Sequence, residues 1–93
     1  SHIIVKSFGS KLIATGKLLF ENKFGQPVGH IEDVVVDEKH RGKGFGVEII
    51  ESLVQEATHR GCYKIVLNAN QASDEFYEKC HFEKVGYEWC LRP

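Results

Sequence analysis

"DEKHRGKGFG", residues 37–46, decides how this chain is read. It sets three glycines at alternating positions, Gly42, Gly44 and Gly46, with Arg41 ahead of them and Lys43 between the first two. Apolar residues at helical spacing follow at once. A glycine within a helix costs about 0.5–1 kcal/mol against alanine, so three of them at a helix start imply that something needs bare backbone. The first amides of a helix have no intrahelical partner, and the macrodipole adds about half a positive charge there. Without Cβ atoms in the way, a phosphate or diphosphate can approach those amides closely. Arg41 and Lys43 add full charges. The plainer alternative is a flexible turn whose glycines are incidental. Two common phosphate loops are excluded by spacing. A Walker loop requires Ser or Thr after Gly-Lys, and a dinucleotide loop requires G-x-G-x-x-G, whereas this turn reads G-x-G-x-G.

Upstream, "HIEDVVVDE" (30–38) predicts a strand centred on Val34, Val35 and Val36, and the valine run predicts burial on both faces. Downstream, Phe45, Ile49, Ile50, Leu53, Val54 and Ala57 recur at three and four, which predicts a helix from about Gly44 with one core-facing stripe. Glu48, Glu51, Gln55 and Glu56 lie elsewhere on the wheel. His59 and Arg60 suit its negative end, and Gly61 suits the C′ position. "YKIVLNA" (63–69) is the next buried strand. A strand–helix–strand crossover of this kind predicts a parallel, right-handed pair.

Further out, "HIIVKSF" (2–8) and "LIATGKLLFEN" (12–22) read as an antiparallel hairpin turning at Gly9 and Ser10. "KFGQPVG" (23–29) reads as a loop marked by Gly25 and Pro27. "SDEFYEKC" (73–80) reads as a short helix with Ser73 as N-cap, and "KVGYEWCL" (84–91) as a final strand. The order is βββαβαβ. The expected class is α+β, a mixed and mostly antiparallel sheet with flanking helices, in one domain over residues 1–93.

Composition narrows the partners. The chain has 93 residues, and its 12 basic and 13 acidic residues give a net charge of −1, so no basic surplus points to nucleic acid or an anionic membrane. No apolar run approaches the roughly 20 residues of a spanning helix, and the opening residues do not follow a signal-peptide pattern. Cys62, Cys80 and Cys90 form no C-x-x-C pair. They read as small buried hydrophobes in a reducing compartment. The five histidines show no metal-ligand spacing, so no metal is expected.

"RGKGFG" (41–46) fits R-x-x-G-x-G and resembles the coenzyme A diphosphate loop of the GNAT N-acetyltransferase superfamily. "GHIEDVVVDEKHRGKGFG" (29–46), "CYKIVLNA" (62–69) and "FYEKCHF" (76–82) together are similar to its glucosamine 6-phosphate N-acetyltransferase family, nearly ungapped from Gly29 to Arg92. The resemblance implies the GNAT fold and transfer of an acetyl group from acetyl-coenzyme A to the amine of glucosamine 6-phosphate. It also implies a cytoplasmic homodimer with a shared substrate site, serving UDP-N-acetylglucosamine biosynthesis without a metal.

The roles implied by the resemblance are specific. Arg41, Gly42, Lys43, Gly44, Phe45 and Gly46 cradle the diphosphate. The backbone of Val34, Val35 and Val36 holds the pantetheine arm like an added strand. Tyr77 hydrogen-bonds the coenzyme sulfur and protonates the leaving thiolate; without the motif it reads as a packing tyrosine. Glu32 and Asp33, adjacent on a strand and so facing opposite ways, belong to the sugar site, and one of them helps deprotonate the amine. The alternative for both is a solvated strand end. The main-chain carbonyl of Asn68 orients the amine beside the coenzyme. Lys23, Tyr63, Lys64 and Arg92 match sugar- and phosphate-binding positions, some supplied across the dimer.

The match also departs from the family. A strand and two helices that normally come first, with a substrate-contacting threonine, have no counterpart here. The loop at 23–29 is short and lacks a substrate-binding histidine, and His81 stands where glycine is usual. Two other readings therefore accompany the first: a GNAT enzyme with another amine acceptor, and a non-catalytic coenzyme A-binding remnant.

Overall fold

A computed structural model of the chain describes residues 3–8, 13–67, 74–86 and 88–93. The expected turn at Gly9 and Ser10 and the N-cap at Ser73 lie outside the described residues.

Six strands form one sheet. They are β1 (Ile3–Phe8), β2 (Ala14–Lys23), β3 (Gln26–Val36), β4 (Lys64–Leu67), β5 (Glu83–Val85) and β6 (Glu88–Leu91), in the order β1-β2-β3-β4-β6-β5. Only β3 and β4 run parallel; every other neighbouring pair is antiparallel. The mixed, mostly antiparallel α+β sheet expected from the sequence is thus present.

Helix α1 (Phe45–His59) covers one face. Its Ile49, Ile50, Leu53 and Ala57 are buried, and they share one core with Leu18 of β2, Ile31 of β3 and Ile65 and Leu67 of β4. Four of the six residues of the expected stripe are buried, and Phe45 and Val54 are half-buried. The helix stops where the sequence indicated. Gly61 takes φ +83°, its amide donates to Thr58 O at 3.0 Å, and the Cys62 amide donates to Ala57 O at 3.0 Å. Those two bonds form a Schellman motif, which requires the left-handed residue that glycine supplies without strain. Helix α2 (Asp74–Lys79) packs Tyr77 into the same core, where its ring lies 5.0 Å from that of Trp89. Cys62, Cys80 and Cys90 are all free and buried, as expected.

Three expectations are corrected. The stretch 23–29 is not a loop: β2 turns directly into β3 through Phe24 and Gly25, at φ +53° and +81°. Two left-handed residues make the tight turn whose twist suits a hairpin. Pro27 fits the strand because its opposite residue is Asn22, one pair in from Lys23↔Gln26. In a two-residue hairpin that second pair does not exchange hydrogen bonds, so the missing N–H costs no ladder bond with β2. The stretch 84–91 is not one strand but a hairpin, β5–β6, turning at Gly86 with φ +63°.

The third correction concerns the valine run, which is not buried on both faces. Val34 and Val36 are only partly covered and Val35 is 53% exposed. The cause is register: β4 pairs with β3 only from Val28 to Ile31, and β3 runs on to Val36. Among the described residues, that edge of β3 has no strand beside it beyond Ile31.

Candidate active site

The turn before α1 explains its glycines separately. Gly42 and Gly44 sit at φ +78° and +86°, a region costly for other residues, and Gly44 is the N-cap with no side chain to close the helix end. The first helical bond runs from the Glu48 amide to Gly44 O at 3.0 Å, so the amides of Phe45, Gly46 and Val47 precede the helical ladder. Gly46 serves packing: a Cβ there would come within 3.2 Å of Phe76 Cζ. A glycine at this point lets α2 press against the first turn of α1.

The approach to the turn is braced. The Asp37 carboxylate accepts from the Lys39 amide at 3.3 Å and bonds His40 Nδ1 at 2.8 Å. The hydrogen bond from His40 holds the Asp37 carboxyl below its usual range. Arg41 Nε donates to the Val36 carbonyl at 3.2 Å, tying the turn to the end of β3.

One cleft of about 890 Å³ opens between these parts. Its lining takes in the free end of β3 from Ile31 to Val36, then His40, Arg41, Gly42 and Gly44–Val47. Ile50 of α1, Leu67 of β4 and Glu75, Phe76, Tyr77 and Lys79 complete it. Among the described residues no strand pairs with this edge of β3 beyond Ile31, and an unpaired strand edge is what an extended ligand arm needs. The helix N-terminus stands at the end of that edge.

The two acidic residues do not alternate as an ideal strand would require. Thr15 pairs with Val35 but Lys17 with Glu32, so Asp33 and Val34 together face Gly16 in a bulge, and Asp33 takes φ +52°. Lys17, the partner of Glu32, reaches the Asp33 carboxylate at 3.2 Å. The bulge breaks the alternation that put these carboxylates on opposite faces, and both line the cleft.

Of the residues singled out from the sequence, Glu32, Asp33, Val34, Val35, Val36, Arg41, Gly42, Gly44, Phe45, Gly46 and Tyr77 line this cleft. Lys43 is exposed in the turn but is not part of the wall. Asn68 lies outside the described residues. Lys23, Tyr63, Lys64 and Arg92 are not brought to the cleft. Lys64 pairs with Val28 and Lys23 with Gln26, at the end of the sheet remote from Leu67 and Val36. His40, Glu75, Phe76 and Lys79 were missed. The FYEK motif pointed at α2, but only its packing on Gly46 shows which of its residues reach the wall.

The model of the Acetyltransferase (GNAT) family matches residues 1–82. The chain belongs to that family. Among its GNAT relatives is glucosamine 6-phosphate N-acetyltransferase 1 of Dictyostelium discoideum, 46% identical over 88% of this chain and 54% of the relative. The glucosamine 6-phosphate N-acetyltransferase of Schizosaccharomyces pombe is 34% identical over 92% of this chain and 81% of its own length. The crystal structure of glucosamine-6-phosphate N-acetyltransferase from Arabidopsis thaliana superposes with a TM-score of 0.77 at 40% identity, over 81% of this chain and 53% of that one. The chain spans about half the length of the first of these relatives.

Proposed function

We propose that this GNAT chain transfers an acetyl group from acetyl-coenzyme A to the amine of glucosamine 6-phosphate, a step in UDP-N-acetylglucosamine biosynthesis. What carries the proposal is a convergence: the free edge of β3, the glycine turn and Tyr77 open on one cleft. The names of the relatives supply the acceptor.

In this scheme the diphosphate rests on the amides that open α1, with Arg41 beside it. The pantetheine arm runs along Val34–Val36 and brings the thioester toward Tyr77. A β3 amide near Val34 polarises the acetyl carbonyl. The amine nitrogen attacks the carbonyl carbon; a C–N bond forms and the C–S bond breaks. The nitrogen sheds its extra proton to solvent as the amide forms, the leaving thiolate takes its proton from the Tyr77 hydroxyl, and solvent returns a proton to the tyrosine. Before attack, the sugar's ammonium gives up a proton to Glu32 or Asp33, directly or through water. The carbonyl of Asn68 orients the amine.

The residues remote from the cleft fit the same scheme in a homodimer. Lys23, Tyr63, Lys64 and Arg92 of one copy would serve the sugar phosphate at the cleft of the other. The reducing environment implied by three free cysteines suits the cytoplasm, and the described elements share one sheet, in keeping with a single domain over 1–93.

The test is release of free thiol from acetyl-coenzyme A. Release is expected with glucosamine 6-phosphate and not with unphosphorylated or unrelated amines. Release only with other amines would replace the acceptor, and coenzyme binding without turnover would replace the enzyme by a binding module.

A further inference from the structure

Among the described residues His40 is the one histidine on the cleft wall, and the transfer scheme has no use for it. It closes the short 3-10 turn Glu38–His40, immediately before Arg41. Its ring is held on two sides. Nδ1 lies 2.8 Å from Asp37 Oδ2, and the ring meets Phe45, first residue of α1, edge-on at 6.1 Å between centroids. The side chain is nonetheless 35% exposed and forms part of the cleft lining.

The carboxylate fixes the chemistry of the ring. Asp37 accepts, so Nδ1 carries the hydrogen and the neutral ring keeps its lone pair on Nε2. A proton added at Nε2 yields an imidazolium already paired with a carboxylate and standing beside the turn that opens α1.

The charges around it favour that proton once a polyanion arrives. On its own turn His40 has Asp37, Glu38 and Lys39, with Arg41 next in sequence. From α1 it meets the uncharged ring of Phe45. Across the cleft stand Glu32 and Asp33 on β3 and Glu75 and Lys79 on α2. The lining therefore holds three carboxylates against two permanent cations, Arg41 and Lys79. A diphosphate entering at the turn adds at least two negative charges beside Arg41 of the wall and Lys43 exposed in the turn. Coulomb attraction in a partly desolvated cleft raises the proton affinity of the nearby imidazole.

We propose that His40 is a proton-linked contact for the coenzyme's phosphates: coenzyme A binds most tightly when His40 is protonated, and its binding draws a proton onto Nε2. The inference rests on the cleft being the coenzyme site. Linkage makes the two effects reciprocal. One linked proton lowers the affinity by at most a factor of ten per pH unit, over the range where His40 titrates in the free protein and in the complex.

Calorimetry of coenzyme A binding, run at pH 6 and pH 8 in two buffers of different ionisation enthalpy, tests this. Coenzyme affinity is expected to fall about tenfold from pH 6 to pH 8, with net proton uptake near pH 7. His40→Asn keeps a donor toward Asp37 but cannot titrate. In that variant the fall should shrink to about threefold or less. In the unaltered protein, the NMR titration of the His40 ring should move to higher pH when coenzyme A is added. Binding with the same pH dependence in both proteins, or an unmoved His40 titration, would overturn the inference and leave the cleft assignment standing. No binding of coenzyme A at either pH would overturn the cleft assignment and the inference together.

Discussion

Phe76 of α2 stands 3.2 Å from where a Cβ on Gly46 would lie, with Val36 at 3.5 Å on the other side. The first turn of α1 lies close to the second helix and the end of β3, where any Cβ would require Phe76 to give way by a few tenths of an ångström. The helix amides and the cleft wall are thereby held at a fixed separation.

Gly46→Ala follows directly. Alanine is the better helix former by about 1 kcal/mol, but the methyl group must push the Phe76 ring aside, and overpacking costs about 1–3 kcal/mol. The ring is edge-on to Tyr77 at 5.6 Å and, half-buried, packs against the core, which resists its displacement. A net loss of about 1 kcal/mol is expected in urea unfolding, with a larger loss of coenzyme affinity than of stability. Equal or greater stability would show that Phe76 moves freely.

Tyr77→Phe separates chemistry from packing. The ring is 4% exposed and lies 5.0 Å from Trp89, and phenylalanine keeps that contact. Removing a positioned acid typically costs about a hundredfold or more in rate. Turnover should fall by that much while the coenzyme dissociation constant changes less than about threefold. An unaltered rate would remove Tyr77 as the acid.

His81 carries a backbone strain that glycine would relieve. It sits at φ +68° after α2, exposed, with its amide donating to Glu78 O at 2.9 Å. A left-handed residue with a Cβ costs about 1–2 kcal/mol, and glycine returns part of that through unfolded-chain entropy. His81→Gly should therefore stabilise the fold by about 0.5 kcal/mol, raising Tm by about 2–4 °C. A lowered Tm would mean that the imidazole has a role beyond this turn.

Cys80 should be chemically quiet. Burial, with a smaller contribution from Glu51, pushes its thiol up to about 11 from an ordinary 9. Burial also raises Cys62. A thiol that keeps its proton only when folded stabilises the fold fully below its unfolded value. That contribution fades between about pH 9 and 11, because the unfolded chain binds fewer protons there. At pH 8 iodoacetamide should label neither residue appreciably in the folded protein and both within minutes in urea, read by mass spectrometry. Prompt labelling of Cys80 in the fold would contradict its burial.

Much of this molecule was legible before folding was considered. The α1 stripe, its start at Gly44 and its stop at Gly61 follow from local rules: apolar period, dipole, and the left-handed backbone that glycine alone adopts cheaply. The pairing of β1 with β2 and the parallel run of β3 and β4 follow from apolar patterning and crossover geometry. Tyr77 was legible through the FYEK resemblance rather than through periodicity, since a buried packing tyrosine has the same spacing.

The tertiary structure decided what depends on register and on contacts between distant segments. Glu32 and Asp33 share the cleft because a bulge opposite Gly16 breaks their alternation, and no short-range pattern marks that residue. Among the described residues β4 pairs with β3 only as far as Ile31, and Val35, beyond that point, is exposed. His40 and Lys79 join one wall because α2 packs on Gly46. Local sequence fixes which backbone conformations are inexpensive, whereas a cleft is the space left between elements. Its walls are therefore set by how those elements pair and pack.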